Sequence, residues 1–322
     1  ISTEIVNGAS LPDDEAFIYA RNPDGSEDKT NLICYGGANK NPVIPEGVTT
    51  IGYRAFWNNK LLSVEIPNTV TTIEGGAFLD NNLTHIDIPN SVTSLDGTAF
   101  NNNKLVDEEA FIYARKAGGG EDRTTIIGYG GANKTNVVVP NGVLEIGAQA
   151  FFDCGIYKIT LPAGLTTIGS RAFEGNNLTE LEIPDTVTFI GISAINSNNF
   201  PEETAYLFAR NHNDGSIDNT TLVSYGGKSS KKVTIPPTVK TIKSEAISRL
   251  KYADTIIVPA SVEVIENYAF RKGDWWNTSL TKIVNQTGKS FNWGNILYNT
   301  PGFEFVTGTI VSSYGNVEIV SA

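Results

Sequence analysis

Apolar and polar positions follow one phrase that returns about every 22 residues along most of the chain. From Ile66 it reads I-P-N-T-V-T-T-I-E-G-G-A-F, and from Ile88 it reads I-P-N-S-V-T-S-L-D-G-T-A-F. A fixed period of this length predicts a solenoid, in which each turn is one structural unit stacked on the next. The proline of the phrase occurs at Pro45, Pro67, Pro89, Pro140, Pro162, Pro184, Pro236 and Pro259, at spacings of 22, 22, 51, 22, 22, 52 and 23 residues.

Short strands are expected immediately before these prolines. The segments L-T-H-I-D-I at residues 83–88 and L-T-E-L-E-I at residues 178–183 alternate apolar and polar residues, which is typical of a half-buried strand. Proline ends each strand because it has no N–H to donate to the ladder. The Val-x-x-Ile and Ala-aromatic pairs that follow place apolar groups under the strand. We therefore predict a β-rich leucine-rich-repeat solenoid, a right-handed coil of short parallel strands with little helix.

One polar position recurs eight residues before the proline, at Asn59, Asn81, Cys154 and Asn176. In a stack of turns, side chains at this position are expected to bond the free backbone groups of the turn, because buried backbone groups need partners. Cys154 is accordingly interpreted as a structural residue. The second cysteine, Cys34, lies several turns away, so we predict two free thiols.

The two long proline spacings contain a second motif. It opens with E-A-F-I-Y-A-R at Glu15 and again at Glu109, and with T-A-Y-L-F-A-R at Thr204, and each copy ends in Y-G-G. Two aromatic and β-branched runs flank a turn rich in Gly and Asp, which predicts a β-hairpin.

The domain organisation follows from these two motifs. We predict a solenoid over residues 1–284, with hairpin inserts near 15–37, 109–131 and 204–227. Residues 285–322 break the repeat and are predicted to form a C-terminal β cap, because the open end of a repeat column must be covered.

Composition excludes several classes of function. The net charge of −11 and the isoelectric point of about 4.8 argue against nucleic acids and anionic lipid surfaces. No run of about 18 apolar residues is present, so we expect no direct membrane insertion. The chain begins at Ile1 without Met, which we interpret as a processed or trimmed chain whose targeting and anchoring segments are out of view.

The sequence shows no convergent catalytic or metal-binding set. His85 and Asp87 would face the same side of a strand as a base and its orienter, but no nucleophile is placed beside them. Glu180 and Glu182 form a pair of the type used by glycosidases, yet the same positions hold unrelated residues in other turns. Neither C-x-x-C nor H-E-x-x-H occurs. We therefore predict no enzyme, no cofactor and no metal.

The phrase I-P-x-x-V-T-x-I-x-x-x-A-F, with N-x-L-x-x-x-x-I-P returning, resembles the BspA-type leucine-rich repeats of bacterial surface proteins over residues 42–284. The resemblance implies a secreted or cell-surface adhesin that binds host or neighbouring cells. A protein or glycoprotein on a cell surface or in the matrix is the partner it implies.

Two surfaces are candidates for that partner. The first is a concave sheet face formed by the residues two and four positions before the prolines: Ser63, Glu65, His85, Asp87, Lys158, Thr160, Glu180 and Glu182. Such mixed, mainly acidic side chains suit a polar or basic protein. The alternatives are a carbohydrate-binding surface of aromatic residues, or a structural spacer. The aromatic residues in question are Tyr19, Tyr113, Phe208, Trp275 and Trp276.

Overall fold

The structure is a computed structural model that describes eight stretches of the chain. The chain forms two compact units, Ile1–Cys154 and Gly155–Ala322. The fold is a β-solenoid with almost no helix, as the sequence predicts. The described residues are 11–12, 15–227, 231–250, 253–271, 279–297, 304–306, 309–311 and 317–321.

The elements are short. The strands of the first unit are β1 (Phe17–Arg21), β2 (Glu27–Tyr35), β3 (Thr50–Ile51), β4 (Thr72–Ile73), β5 (Ser94–Leu95), β6 (Phe111–Arg115), β7 (Glu121–Tyr129), β8 (Val137–Val138) and β9 (Glu145–Ile146). The strands of the second unit are β10 (Ile159–Thr160), β11 (Thr167–Ile168), β12 (Phe189–Ile190), β13 (Tyr206–Arg210), β14 (Ile217–Tyr225), β15 (Lys232–Thr234), β16 (Thr241–Ile242), β17 (Thr255–Val258), β18 (Val264–Ile265), β19 (Lys282–Asn285), β20 (Glu304–Val306), β21 (Thr309–Val311) and β22 (Val317–Ser321). A 3-10 helix at Glu202–Thr204 and helix α1 at Trp293–Leu297 complete the second unit.

The most regular ladder of the first unit lies after the prolines. Ile51 of β3 pairs with Ile73 of β4, which pairs with Leu95 of β5, all in parallel register. These partners are 22 residues apart, so the sequence period equals one turn of the stack. Ile51 and Ile73 are buried, which the Val-Thr-x-Ile phrase predicts.

The strands predicted at residues 83–88 and 178–183 are not formed, although in both segments the apolar residues are buried or half-buried and the polar residues between them are exposed. The N–H of Leu83 donates to Asn103 Oδ1 (3.1 Å), and the N–H of Leu178 donates to Asn198 Oδ1 (3.0 Å). The prediction was wrong here: the carbonyls of Leu83 and Leu178 accept the N–H groups of Lys104 (2.9 Å) and Asn199 (2.8 Å) in the next turn, but these bonds do not continue into a ladder. Strands before the proline do form in later turns, at β15 and β17.

The predicted hairpins are present, but they are turns of the solenoid and not additions to it. In each, the second strand pairs in parallel with the short strand of the next turn: Leu32 with Ile51, Ile126 with Ile146, and Leu222 with Ile242. The first strand pairs antiparallel with the second at the outside of this sheet. Each hairpin therefore takes the place of one repeat, which explains why the proline spacing lengthens there.

An aromatic column runs through the core of the first unit. The rings of Tyr35, Phe56, Phe78 and Phe100 follow one another at centroid distances of 5.1, 4.9 and 5.1 Å. Tyr35, from the Y-G-G motif of the first hairpin, thus holds the place that the Ala-Phe phenylalanine holds in ordinary turns. Its hydroxyl donates to the carbonyl of Asn39 (2.9 Å). A Cβ on Gly37 would lie 2.4 Å from that hydroxyl oxygen, so the motif needs glycine there.

A second column, of asparagines, confirms the polar position predicted at Asn81. Its amide donates to the carbonyls of Phe56 (2.8 Å) and Phe78 (2.9 Å), and its oxygen accepts the N–H of Leu61 (3.0 Å). Asn103 makes the same three kinds of bond, although no proline follows it at the usual distance. Asn103 was not predicted from the sequence, because a hairpin follows it and the marker proline is missing. The local phrase N-x-L is present and could have identified it.

The C-terminal part contains the longest regular sheet of the second unit. Strands β15, β17, β19 and β22 lie parallel and in register. Strand β21 pairs antiparallel with β22, and β20 pairs antiparallel with β21 at the edge of the sheet. This extension and α1 agree with the predicted cap. The boundary between residues 284 and 285 stays a prediction.

Candidate functional site

The eight residues predicted for the concave face are all exposed, and they divide four and four between the two units. They are called the pre-proline face from here on. In the first unit, Ser63 Oγ donates to Asn41 Oδ1 (2.8 Å), which links neighbouring turns across the surface. In the second unit, Lys158 Nζ lies 3.0 Å from Glu180 Oε1. Both partners of this ion pair are more than half exposed, so it contributes little stability.

His85 does not pair with Asp87, the orienter considered from the sequence. Its Nδ1 lies 3.2 Å from Glu109 Oε1, and the other oxygen of Glu109 accepts the N–H of Ile86 (2.8 Å). Glu109 opens the second hairpin, 24 residues further along the chain, so only the stacking of turns brings it to His85. The imidazole is 69% exposed, as suits a surface residue.

The hairpin aromatics are largely packed inward. Tyr113 is 9% exposed, and Tyr19 and Phe208 are half-buried. Burial raises the pKa of the Tyr19 and Tyr113 hydroxyls, with a further raising effect of Glu27 on Tyr19. These rings thus offer less contact area than the sequence suggested. Trp275 and Trp276 lie outside the described residues.

The second unit contains a polar cluster that the sequence reading missed. Arg171 bonds Glu245, Arg249 Nη1 lies 3.0 Å from Glu174 Oε1, and Arg271 Nη1 lies 2.8 Å from Glu245 Oε1. The side chain of Glu174 is fully buried, and this burial raises its pKa despite the arginines. The first two of these pairs join residues 74 and 75 positions apart, which sequence spacing cannot identify as neighbours.

The backbone around this cluster is tied by buried polar side chains. Asn196 Nδ2 donates to the carbonyl of Glu245 (2.9 Å) and to Ser248 Oγ (2.9 Å), and Ser193 Oγ donates to the same Glu245 carbonyl (3.0 Å). Most of its polar groups are paired within the cluster, and Arg171 Nε lies 3.6 Å from the second oxygen of Glu174, so we interpret the cluster as structural. It closes the space beside the third hairpin.

Both cysteines are buried and free, and neither is placed for nucleophilic chemistry. Cys154 Sγ donates to the carbonyls of Tyr129 and Phe152, each at 3.6 Å, as a residue of the asparagine column. Burial raises the pKa of the Cys154 thiol to about 12 and that of Cys34 to about 11. Thiolate is the nucleophilic form, so these thiols are unreactive.

We expect native protein at pH 8 to resist alkylation by iodoacetamide at both cysteines. With a pKa of about 11 for Cys34, only about one thiol in a thousand is thiolate at that pH. Mass spectrometry after a timed reaction would show the unmodified chain, while the same reaction in guanidinium chloride would add two groups. Fast labelling of the folded protein at either position would contradict this account.

Two negative findings hold for the described part of the chain. No group of three or more His, Cys, Asp or Glu side chains there could hold a metal ion. The helices within the described stretches are too short to span a bilayer.

Comparisons with known proteins agree with the repeat. The chain is similar to a leucine rich cell surface protein from Faecalibacterium prausnitzii at 23% identity, covering 81% of this chain and 63% of that one, with a TM-score of 0.41. A leucine-rich repeat protein from Eubacterium ventriosum is 20% identical, with coverage of 77% and 60% and a TM-score of 0.35. This chain therefore spans less than two thirds of either protein.

A third solved structure, a leucine-rich repeat protein from Bacteroides ovatus, is 17% identical, with coverage of 84% and 70% and a TM-score of 0.36. No curated protein matches the chain. The family described as "BspA type Leucine rich repeat region" matches in six copies, over residues 33–111, 129–222 and 216–297. These ranges cover most of the chain, which therefore belongs to the BspA-type leucine-rich repeat family.

Proposed function

We propose that this chain is a non-catalytic extracellular binding protein that attaches to a protein or glycoprotein on a host or neighbouring cell. One observation supports it most directly. The buried positions of the turn keep the same residues, while the pre-proline face changes from Ser and Glu in one turn to His and Asp in the next, always exposed. A surface that varies on a constant scaffold is typical of recognition by repeat proteins.

The charge of this face indicates the kind of partner. If His85 is left aside, five of the eight residues are charged at pH 7. One is a lysine, and the other four are carboxylates: Glu65, Asp87, Glu180 and Glu182. Complementary charge raises association rates and disfavours partners of like charge. The partner surface should therefore be polar and basic, and binding should weaken as salt increases.

The test is binding of the purified chain to immobilised matrix proteins and to intact epithelial cells, beside two variants. The first changes Glu65, Asp87, Glu180 and Glu182 to Ser. The second removes the same amount of charge from exposed positions elsewhere, by changing Glu46, Glu145, Glu203 and Glu263 to Ser.

We expect the first variant to lose at least tenfold in affinity and the second to keep the affinity of the parent chain. Equal loss in both variants would mean that net charge alone drives the binding. Equal retention would move the site away from the pre-proline face. Absence of binding to either surface by the parent chain would contradict the proposed function.

A further inference from the structure

A groove of about 640 Å³ opens on the first unit, away from the pre-proline face. It follows one repeat position, the residue just before the Ala-aromatic pair, which is Arg54, Gly76, Thr98 and Gln149 in successive ordinary turns. The backbone is left-handed at Arg54, Gly76 and Gln149, with φ of 55°, 62° and 60°.

The second hairpin creates the gap. An ordinary turn needs five residues to go from its buried isoleucine to the core aromatic, as from Ile73 to Phe78. The hairpin turn needs only three, from Ile126 to Tyr129. The missing pair includes the left-handed residue, so the row is interrupted between Thr98 and Gln149. A notch remains there, and it is part of the groove.

The second unit shows how the same notch can be closed. Its third hairpin is also short, with three residues from Leu222 to Tyr225. Here the left-handed positions Arg171 and Glu245 (φ of 58° and 55°) bond each other, so the arginine–glutamate cluster spans the interruption in the row. In the first unit the corresponding positions are Gly76 and Gln149. The groove is therefore not an unavoidable consequence of the fold.

The walls of the groove carry fixed hydrogen-bonding groups. The guanidinium of Arg54 lies 5.2 Å from the Tyr53 ring centroid and 4.9 Å from that of Trp57, which holds it in place. One oxygen of Glu74 accepts the N–H of Tyr53 (2.7 Å), and one oxygen of Asp96 accepts the N–H of Thr98 (2.9 Å). Each carboxylate is thus oriented through one atom, while its second oxygen makes no hydrogen bond to the described residues.

Donors, acceptors and a ring face occur together. Gln149 adds an amide whose side chain makes no hydrogen bond within the described part of the chain, and Phe152 and Leu79 supply apolar wall. Tyr53 is 59% exposed. A hydroxyl both donates and accepts, so a chain of hydroxyls on apolar ring faces matches this mixture. An ammonium group only donates, so it could not accept a hydrogen bond from the Gln149 amide.

We propose that this groove binds a neutral oligosaccharide. The net charge of the groove is −2, from three carboxylates (Glu74, Asp96 and Asp153) and one arginine (Arg54). This charge disfavours sialylated and sulfated glycans. The volume lies within the range of roughly 300–1,000 Å³ that is typical of ligand pockets. The site shares no residue with the pre-proline face, so the proposal is independent of the function proposed above.

The test is a glycan array that holds neutral and acidic glycans, followed by titration of the strongest neutral glycan. Tyr53→Ala removes the exposed ring, and Tyr157→Ala is its matched control, since Tyr157 is 58% exposed on the second unit. A second variant, Gly76→Arg with Gln149→Glu, copies the pair that closes the notch in the second unit. Arg171 already adopts the left-handed backbone that this arginine needs.

We expect the parent chain and Tyr157→Ala to bind a neutral glycan equally, Tyr53→Ala to bind it about tenfold more weakly, and the closed-notch variant to lose binding. Equal denaturation midpoints for Tyr53→Ala and the parent would show that folding is intact. Three results would overturn the proposal: no neutral glycan bound, binding unchanged by both variants, or capture of an oligolysine peptide that Tyr53→Ala abolishes. The variant of the four pre-proline carboxylates should retain glycan binding.

Discussion

Replacing Asn103 with Ala should lower the free energy of unfolding by about 4 kcal/mol. Its amide donates to the carbonyls of Phe78 (2.9 Å) and Phe100 (2.8 Å), and its oxygen accepts the N–H of Leu83 (3.1 Å). Phe78 keeps its bond from Asn81, but the groups of Phe100 and Leu83 lose their partner in a buried place. Each buried, unpaired backbone group costs about 1–3 kcal/mol, and the small cavity adds to that.

Denaturation in guanidinium chloride, followed by circular dichroism, would measure this loss. Asn68→Ala is the matched control, because Asn68 is an exposed asparagine in the proline turn, and its change should alter stability by about 0.5 kcal/mol or less. Asn103→Cys should fall between the two, since Cys154 fills the same position with weaker bonds to two carbonyls. A loss for Asn103→Ala no larger than that of the control would show that water replaces the side chain.

Gly128→Ala should destabilise the protein by about 3 kcal/mol. A Cβ built on Gly128 would lie 1.9 Å from the carbonyl oxygen of Gly97 in the preceding turn, and one on Gly97 would lie 1.9 Å from the carbonyl oxygen of Ile127. Both obstacles are backbone, so no side chain can rotate away and the two turns must separate. Overpacking of this kind costs about 1–3 kcal/mol and sometimes more.

The same hairpin offers a control. A Cβ on Gly118 meets no atom within 4 Å, so Gly118→Ala should cause no clash. It should leave stability unchanged or raise it by about 0.5 kcal/mol, because alanine lowers the conformational entropy of the unfolded chain. Thermal unfolding of both variants beside the parent would measure the difference. If Gly128→Ala melted like Gly118→Ala, the hairpin strand would not pack directly against the preceding turn as the structure has it.

The repeat and its buried positions could be predicted because each turn places the same types of residue at the same positions. Ile73, Phe78 and Asn81 occupy positions that recur in sequence, and recurrence marks burial when no turn can bury its apolar groups alone. The exposed pre-proline residues followed from the same alternation. The alternation does not show whether these exposed residues form a single binding surface, which stays a proposal.

The errors of prediction have a common cause. The segments 83–88 and 178–183 have the pattern of strands, but the few backbone bonds that they make to the next turn do not build a ladder. Glu109 was not identified as the partner of His85, because it comes from another turn. Alternation reports which side chains are buried, and it carries no information on where the backbone hydrogen bonds go.

By itself the sequence determined the family, the solenoid, the hairpins and the buried columns. These depend on a periodic pattern of buried residues, and each repeat contains that pattern in its own sequence. Only the tertiary structure decided that the hairpins are turns of the stack, and that the gap beside a hairpin is closed by Arg171 and Glu245 in one unit and left open at Gly76 and Gln149 in the other. Those outcomes depend on contacts between residues about 70 positions apart, and a side chain reaches across such a separation only after the turns have stacked.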